Sequence, residues 1–372
     1  MQKLFEDYFK SRRILVTGHT GFKGSWLCAW LSSLGAEVHG YALDPPTEPS
    51  LFRQADLVSR LASHTIADIR CYETLHDCMQ RIRPEVVFHL AAQPLVLTSY
   101  RQPLDTLETN VMGTANLLEA VRQVDSVRVC QIITSDKCYE NHGRVYAYRE
   151  TDPLGGHDPY SASKACAELV AAAYRGSYFT EPARRPGNIA TVRAGNVIGG
   201  GDWARDRIVP DCVRALYAND RITIRLPAAV RPWQHVLEPL SGYLMLACRQ
   251  AADPHDGSGA WNFGPASGGA RSVETLVREL IRCWGGGHWT AQEDRAAGHE
   301  ADLLQLDCTK AHALLDWSPV LSFSEAVSWS VHWYKTVWRH PELAYPTLSR
   351  QIDDYCRLAA RYGCHWAAAE AA

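Results

Sequence analysis

The sequence predicts an α/β fold built on a doubly wound parallel sheet, and three observations support this prediction. Short apolar runs alternate with helical patterns five times in the first half of the chain. A glycine-rich loop directly follows the first of these runs. The 372 residues also exceed the roughly 250–300 at which one hydrophobic core stops growing, so we expect a smaller second lobe.

Composition and charge exclude several classes of protein. Lys and Arg total 38 against 41 Asp and Glu, without a basic or acidic block, so we expect neither a nucleic-acid nor a membrane partner. The twelve cysteines show no C-x-x-C pair or zinc-ligand spacing, which argues against a metal site and favours reduced thiols. Residues 1–13 lack the apolar run of a signal peptide, and no window resembles a membrane span. We therefore expect a cytoplasmic protein with a small-molecule partner.

The glycine-rich loop predicts a dinucleotide site. It follows the apolar run Arg13–Thr17, precedes a helical pattern that ends at Gly35, and consists of Gly18, His19, Thr20, Gly21, Phe22, Lys23 and Gly24. Gly18 and Gly21 would let the backbone turn tightly near a pyrophosphate, and Gly24 would let helix and strand pack closely. The alternative is a purely structural turn.

A carboxylate after the second apolar run suggests which dinucleotide is bound. Asp44 lies 20 residues beyond Gly24, where it can accept hydrogen bonds from the ribose hydroxyls and repel a 2′-phosphate. No Arg sits beside it, which favours NAD over NADP. Asp44 could instead only cap the Pro45-Pro46 turn.

The central stretch carries the groups for proton and hydride transfer. Another predicted strand delivers Thr134, Ser135, Asp136 and Lys137 at its carboxyl end, where open α/β sheets bind ligands. Tyr160 and Lys164 lie four residues apart, on one face of a helix. We expect a neighbouring ammonium and a positive nicotinamide ring to lower the pKa of Tyr160, so that it takes a hydroxyl proton while Ser135 hydrogen-bonds the same hydroxyl.

The G-x-x-G-x-x-G loop and the Tyr-x-x-x-Lys pair resemble the extended branch of the short-chain dehydrogenase/reductase superfamily. The resemblance implies a Rossmann-type sheet with a smaller α/β substrate-binding lobe. It also implies that Asp68 and Ile69 contact the adenine, and that the loop Ala91-Ala92-Gln93 lies beneath the nicotinamide ribose. Asn110, which opens a predicted helix, matches a structural residue of that superfamily.

Asp136 and Lys137 distinguish between reactions within this superfamily. The simpler sugar epimerases carry small or apolar residues at these positions, whereas sugar-nucleotide 4,6-dehydratases carry an acid followed by Glu or Lys. A C4 ketone makes the C5 proton acidic, so a base near C5 and an acid near the C6 hydroxyl can expel water. We expect burial to keep Asp136 protonated and Lys137 to be neutral or to stabilise the enolate. A strand-end ion pair is the alternative.

Five longer segments resemble the CDP-glucose 4,6-dehydratases, and they span most of the chain: GHTGFKGSWL, HLAAQPLV, TSDKCYEN, YRETDPLGGHDPYSASKACAELV and VRAGNVIGGGDWARDRIVPD. Lys137 in place of Glu is a mark of that family. The resemblance implies NAD, CDP-glucose as substrate and a 4-keto-6-deoxy sugar as product. Two sites depart from the pattern, Tyr146-Ala147-Tyr148 and Ala165.

The second half of the chain is predicted to hold the sugar nucleotide. By the same resemblance, Asn196 and Arg207 meet its diphosphate and base side, and Arg231 binds phosphate, for which a guanidinium is well suited. His235 is a further candidate, with an ordinary core or surface histidine as the alternative. Solvated surface arginine is the alternative for Arg207.

These expectations define two domains and a set of competing functions. Residues 1–195 form the NAD-binding domain, with a returning segment near 230–260, and residues 196–372 form mainly the sugar-nucleotide lobe. The resemblance implies a homodimer or a higher homo-oligomer, with the helix that bears Tyr160 packed against its mate in a dimer, and a role in deoxysugars of surface polysaccharides such as O-antigen. The alternatives are a 4-epimerase, a dTDP- or GDP-hexose dehydratase, and a non-catalytic NAD-binding regulator.

Overall fold

The structure is a computed structural model of the chain, and it describes residues 4–180, 187–253, 256–266, 269–291 and 304–367. Strands in these ranges are β1 (Arg13–Thr17), β2 (Glu37–Ala42), β3 (Ser63–Ile66), β4 (Val86–His89), β5 (Val129–Ile133), β6 (Asn188–Ala194), β7 (Val197–Ile198), β8 (Ile222–Ile224), β9 (Val230–Arg231), β10 (Gln234–His235), β11 (Gly259–Phe263), β12 (Arg271–Ser272) and β13 (Trp289–Ala291).

The helices lie between and after these strands. They are α1 (Phe22–Ser33), α2 (Leu51–Gln54), α3 (Tyr72–Ile82), α4 (Val96–Arg101), α5 (Pro103–Leu107), α6 (Gly113–Gln123), α7 (Pro159–Tyr178), α8 (Ile208–Tyr217), α9 (Leu237–Ala252), α10 (Val273–Trp284), α11 (Thr309–Leu315), α12 (Phe323–Arg339) and α13 (Ala344–Arg361). Short 3₁₀ turns cover Leu4–Asp7, Leu57–Arg60, Asp136–Cys138, Pro341–Leu343 and His365–Ala367.

The central sheet confirms the predicted doubly wound parallel arrangement. Its seven described strands run parallel in the order β11-β6-β5-β4-β1-β2-β3. The strand order reverses between β1 and β4, and open α/β sheets bind their ligands outside the carboxyl ends of the strands at such a switch point. The loops after β1 and β4 are adjacent because Thr17 is in register with His89.

Both faces of the sheet are covered, which explains why its strands read as continuous apolar runs. Ile14 and Val16 of β1 pack into a core with α1 and α9, whereas Leu15 points into a second core with α3 and α6. The alternation follows from the two-residue repeat of a strand. The sheet is therefore held rigidly between two helical layers.

The chain beyond β6 builds a smaller lobe and also returns to the sheet. β8 pairs with β13, and β9 pairs with β12, beside α8 and α10. α9 packs on β5 and β6, and β11 forms the outer strand next to β6. The predicted domain boundary at residue 195 stays a prediction.

The crossing into the smaller lobe requires glycine at close contacts. A Cβ on Gly200 would lie 2.1 Å from Cγ of Trp333, and Gly201 has a φ of +82° beside Leu51. Only a residue without a side chain fits between α12 and the sheet at Gly200. The glycines at 199–201, after β7, thus let the backbone pass in close contact with the buried Trp333.

One local feature differs from the sequence-based expectation. Asn110 does not open a helix but lies in a π-helical turn, Glu108–Met112, within a helical run that begins at Pro103. Before α11, Leu306 forms an isolated bridge with Tyr148. After α12, α13 packs into the core, and its Tyr355 is fully buried.

None of the described helices combines the length and the apolar character needed to cross a bilayer.

Candidate active site

A cavity of about 930 Å³ runs along the carboxyl edge of the central sheet. It is lined by the loops after β1, β2, β4, β5 and β6, and on its other side by α8, β8 and β9 of the smaller lobe. This volume lies near the top of the range of about 300–1,000 Å³ for ligand pockets. The cavity therefore lies where a doubly wound sheet binds its ligands.

The glycine loop forms one end of this cavity and fits a dinucleotide pyrophosphate. Gly18 has a φ of +73°, and a Cβ on it would lie 2.6 Å from the Ala91 nitrogen. A Cβ on Gly24 would lie 2.2 Å from the Gly18 carbonyl oxygen. α1 begins at Phe22 without a side-chain cap, so its first amides can bind an anion.

The remaining loop residues are fixed by contacts with neighbouring elements. Thr20, which lines the cavity, donates its hydroxyl to the Leu43 carbonyl at 2.9 Å. Lys23 also lines the cavity, and its amine donates to the Tyr243 hydroxyl at 3.3 Å. Removal from water, together with the nearby Arg207 and Lys164, lowers the pKa of Lys23 to about 7. The loop thus brings a weakly basic amine into the cavity.

Asp44 lies at the cavity rim, and an arginine that the sequence did not predict lies close to it. Its side chain is 76% exposed, as a group that meets ribose hydroxyls should be. The sequence suggested that no arginine is near it, yet Arg53 Nη2 lies 3.9 Å from Asp44 Oδ1, because α2 folds back toward the loop. The absence of an arginine therefore cannot serve as the reason for preferring NAD.

Of the predicted adenine pair, the structure brings only Ile69 to the cavity. The carboxylate of Asp68 accepts from Arg70 Nε at 3.0 Å and from Arg70 Nη2 at 2.6 Å. These hydrogen bonds hold the pKa of Asp68 below its usual value. Asp68 is thus occupied by its neighbour at the strand end.

Part of the loop after β4 lines the cavity, and the rest of it is hydrogen-bonded to neighbouring helical segments. Ala91 and Ala92 line the cavity, whereas the Gln93 side chain donates to Thr106 Oγ1 at 2.8 Å. Asn110 holds the Gln93 backbone, accepting from its nitrogen at 2.8 Å and donating to its oxygen at 3.1 Å. Asn110 also donates to Ser163 Oγ of α7 at 2.8 Å, so its π turn joins this loop to α7.

Ser135, Asp136 and Lys137 come together in the cavity wall at the end of β5. The backbone makes a 3₁₀ turn there, and Ser135 Oγ accepts from the Lys137 amide at 3.3 Å. The hydroxyl of Ser135 donates to Asp136 Oδ1 at 3.0 Å. The ion pairs of the described residues include none between Asp136 and Lys137, so the alternative of a strand-end ion pair is not observed.

The carboxyl of Asp136 is prepared to act as an acid. It is buried, and its Oδ2 has no hydrogen-bond partner within the described structure. A Cβ on Gly195 would lie 2.6 Å from that oxygen, so only glycine leaves space for it. Burial raises the pKa of Asp136, against the opposing effects of Lys137, Ser135 and Arg231. The direction agrees with the expected protonated acid.

Tyr160 and Lys164 face this turn from the first two turns of α7. The helix begins with Pro159 after Asp158, whose carboxylate accepts from the Ser161 amide at 2.9 Å. The amine of Lys164 donates to the Ile133 carbonyl at 3.2 Å, and Ser135 lies close enough to Tyr160 to affect its pKa. Strand end and helix therefore present their groups to the same space.

The pKa of Tyr160 departs from the sequence-based expectation. Burial raises it to about 12, although the hydrogen bond with Ser135 opposes the change. Burial also lowers the pKa of Lys164 to about 8, against the opposing charge of Glu168. In the protein alone Tyr160 is thus a poor base, because the cost of burying a phenolate exceeds the opposing effects of Ser135 and Arg207.

On the smaller-lobe side, three of the four predicted substrate residues line the cavity, namely Asn196, Arg207 and Arg231. Arg207 Nη1 lies 2.9 Å from Asp202 Oδ2, which is largely buried and raises the pKa of the arginine. Arg231 is itself only 5% exposed. A basic patch thus faces the strand-end turn across the cavity.

His235 does not reach this patch. It is fully buried, and its ring packs edge-on against Trp26 and Trp329. Burial lowers the pKa of His235 to about 3, so the ring is neutral. The position matches the alternative of an ordinary core histidine, and contact with a ligand would require the surrounding side chains to move.

Sequence reasoning did not identify several residues that shape the site. Asp202 fixes Arg207, Gly195 makes room for Asp136, and Arg221 and Arg225 add to the basic side of the cavity. The run Gly199-Gly200-Gly201-Asp202 carried a signal for a tight acidic loop. Within the residues described, no group of three or more His, Cys, Asp or Glu side chains could hold a metal ion.

Comparisons with known proteins agree with this geometry. The sequence model of a family described as GDP-mannose 4,6 dehydratase matches residues 15–254. The chain is 48% identical to a protein named CDP-glucose 4,6-dehydratase from Salmonella typhimurium, over 96% of this chain and 99% of that protein.

Solved structures share the fold. The dTDP-glucose 4,6-dehydratase of Bacillus anthracis, in complex with NAD, superposes with a TM-score of 0.72 at 21% identity, covering 91% of this chain and 100% of that one. MoeE5, in complex with UDP-glucuronic acid and NAD, superposes with a TM-score of 0.72 at 25% identity, covering 87% of this chain and 98% of that one.

Proposed function

The chain belongs to the GDP-mannose 4,6 dehydratase family, and from this we propose that it catalyses the NAD-dependent dehydration of CDP-glucose to CDP-4-keto-6-deoxyglucose. One observation carries the choice of reaction. An acid whose pKa is raised by burial, Asp136, and a second potential proton carrier, Lys137, lie in the same cavity wall as the Tyr160–Lys164 pair. Oxidation alone would not need the first two residues.

The cofactor is proposed from the cradle and from the relatives. The glycine loop fits a pyrophosphate, Asp44 faces the ribose position, and the MoeE5 structure contains NAD. Bound NAD would accept a hydride from C4 of the hexose and return it to C6. Together with Gly18, Thr20, Gly21, Phe22, Lys23 and Gly24, the residues proposed to hold it are Asp44, Ile69, Ala91 and Ala92.

Tyr160 and Lys164 are proposed to serve the oxidation step. As the hydride leaves C4, the Tyr160 phenolate takes the proton of the C4 hydroxyl, while Ser135 keeps that hydroxyl in place. The raised pKa of Tyr160 means that forming this phenolate needs positive charge from Lys164 and from the nicotinamide ring. Lys164 would supply it from the same helix face.

Asp136 and Lys137 are proposed to serve the elimination. Once C4 is a ketone, Lys137 takes the C5 proton, and Asp136 gives its proton to the departing C6 hydroxyl, which leaves as water. The C5–H and C6–O bonds break while a C5–C6 double bond forms. The unpartnered Oδ2 of Asp136 is the atom proposed to carry that proton.

The basic side of the cavity is proposed to bind the nucleotide. Arg207 and Arg231 present planar forks of donors that suit a diphosphate, and Asn196 lines the same cavity. Asp202 holds Arg207 in one orientation, so less conformational entropy is lost when the ligand binds. The Salmonella relative's name supports cytidine as the base.

Cell location and pathway are part of the proposal. All twelve cysteines are free in the structure, as in proteins of a reducing compartment, which supports the cytoplasm. The product is an activated 6-deoxy sugar with a reactive ketone. We propose that enzymes of deoxysugar synthesis for surface polysaccharide such as O-antigen consume it.

We also propose a homodimer. The helices α4, α5 and α7 pack together, and each of them leaves a large apolar side chain exposed to solvent, namely Tyr100, Leu104 and Leu169. Leu104 is 73% exposed, which is costly for an unpartnered surface. Light scattering of the purified protein should give twice the mass of one chain, and Leu104→Glu should reduce it to one. A monomeric parent protein would contradict the proposal.

The substrate is tested by incubating the protein with NAD and, separately, CDP-glucose, dTDP-glucose, UDP-glucose and GDP-mannose. Mass spectrometry should show the loss of one water from CDP-glucose, with kcat/KM higher than for the other three. Loss of water only from another sugar nucleotide would assign a different base. A new isomer of unchanged mass would indicate an epimerase, and no turnover of any of them would favour a binding protein.

The role of Lys137 is tested by Lys137→Ala. The variant should lose dehydration by about 100- to 10,000-fold, because a positioned proton carrier contributes about that much to a rate. Its dissociation constant for NAD, measured by calorimetry, should stay unchanged. Lys335→Ala is a matched control, because Lys335 bonds the Trp284 carbonyl away from the cavity and should keep full activity. Normal turnover by Lys137→Ala would contradict the assignment.

A further inference from the structure

A buried carboxylate that the proposed reaction does not use lies on the helix that carries Tyr160 and Lys164. Glu168 is one helical turn beyond Lys164, only 3% exposed, and not among the residues that line the cavity. Residues four apart on a helix share a face, so Glu168 looks toward the same strands as Lys164. Among the residues that line the cavity, it is hydrogen-bonded to Thr134.

Both oxygens of Glu168 are fully bound by donors from neighbouring strands. Oε1 accepts from Thr134 Oγ1 at 2.5 Å and from Arg193 Nε at 3.0 Å. Oε2 accepts from Thr191 Oγ1 at 2.6 Å and from Arg193 Nη2 at 2.7 Å. One side chain of α7 is therefore bonded to the end of β5 and to two residues of β6.

The arginine extends this network beyond the catalytic turn. Arg193 Nη1 donates to the Tyr139 hydroxyl at 2.7 Å, and that hydroxyl donates to Asn262 Oδ1 of β11 at 2.7 Å. Thr134 immediately precedes Ser135, and Tyr139 follows the 3₁₀ turn. The network therefore forms hydrogen bonds with residues on both sides of the segment Ser135–Lys137.

We propose that Glu168 is a positioning residue, which holds the turn Ser135–Lys137 in register with Tyr160 and Lys164, so that oxidation and elimination act on one bound hexose. The inference rests on the proposed dehydration. Tyr160, Lys164 and Glu168 belong to one rigid helix, whereas the acid and base come from a loop after a strand. The backbone hydrogen bonds of the helix fix Tyr160 and Lys164 relative to each other, and Glu168 fixes the loop with the acid and the base to that helix.

Stability alone is a weak explanation for this ion pair. Burying a carboxylate and a guanidinium costs several kcal/mol for each ion, and replacing such a pair by apolar side chains is often neutral or stabilising. A displacement of about 1 Å in a catalytic group, in contrast, can cost about 100-fold in rate. The geometry of the pair is thus better explained by alignment of the two halves of the site.

The test separates the two halves of the reaction in Glu168→Gln. The intact protein should return each hydride to C6, so that no reduced cofactor accumulates. In Glu168→Gln the helix still supports oxidation, but elimination should slow by about 10- to 100-fold more than oxidation. NADH absorbance should then rise with the release of CDP-4-ketoglucose, detected by mass spectrometry. The measured quantity is NADH formed per molecule dehydrated.

Two threonine variants show which hydrogen bond of Glu168 is responsible for the NADH yield. They also replace Glu168→Gln in the test if that variant does not fold. Thr134→Val removes the bond between Glu168 and the catalytic segment, whereas Thr191→Val removes a bond of the same carboxylate to β6. Thr134→Val should raise the NADH yield, and Thr191→Val should leave it near the parent value. Glu238→Gln is a control for the loss of a buried carboxylate, because Glu238 binds Val320 and Tyr355 away from the cavity.

A pH profile gives a second readout. The groups that act on the charge of Lys164 are Glu168 of its own helix, Cys138 of the turn, His89 of β4 and Lys23 of the glycine loop. Glu168 raises the pKa of Lys164, so Glu168→Gln should lower it, and the alkaline limb of the oxidation rate should move below its parent position near pH 8. Thr134→Val keeps the carboxylate and should not move that limb.

The outcomes distinguish the inference from the function on which it rests. If the parent protein does not dehydrate CDP-glucose, the proposed function fails. If the parent dehydrates it, and folded Glu168→Gln and Thr134→Val lose stability but form no NADH beyond the parent level, the positioning role is overturned. NADH accumulation in Glu238→Gln to the same extent would also overturn it, because the effect would then follow from instability alone.

Discussion

The site depends on one contact, the packing of the first turns of α7 against the carboxyl end of β5. Lys164 reaches across this contact to the Ile133 carbonyl, and Tyr160 lies close enough to Ser135 for Ser135 to affect its pKa. The contact is dry, which raises the pKa of Tyr160 and of Asp136 and lowers that of Lys164. The same burial thus favours the protonated form of an acid, makes a phenolate costly to form, and makes an amine easier to neutralise.

The architecture resolves a conflict between rigidity and access. In the proposed reaction Asp136 needs the burial that raises its pKa, yet one of its oxygens must face the substrate. Gly195 leaves that oxygen space at the cavity wall, and the glycines at 199–201 let the chain cross beneath Trp333 to build the opposite wall with Arg207. Glycine at these positions is required by close contacts, not by flexibility of the loop.

Local patterns in the sequence predicted much of this structure. Apolar runs predicted the sheet, and the glycine loop predicted the edge of the sheet where the cavity lies. The spacing of Tyr160 and Lys164 predicted that they share a helix face. Contacts between distant segments were not predictable. Arg53 reaches Asp44 through the fold of α2, His235 lies inside a core built from three segments, and Glu168 meets Thr134 across the helix–strand contact. Such pairs have no signature in spacing along the chain.

The central claim is that one cavity oxidises a hexose, removes water and returns the same hydride. The direct measurement uses CDP-glucose deuterated at hexose C4, with unlabelled NAD in excess, and NMR of the product. One deuterium per molecule at C6, in a 4-keto-6-deoxy product, is expected from hydride return within the site. Loss of the deuterium to the cofactor pool, or its retention at C4 in a product of unchanged mass, would contradict the claim.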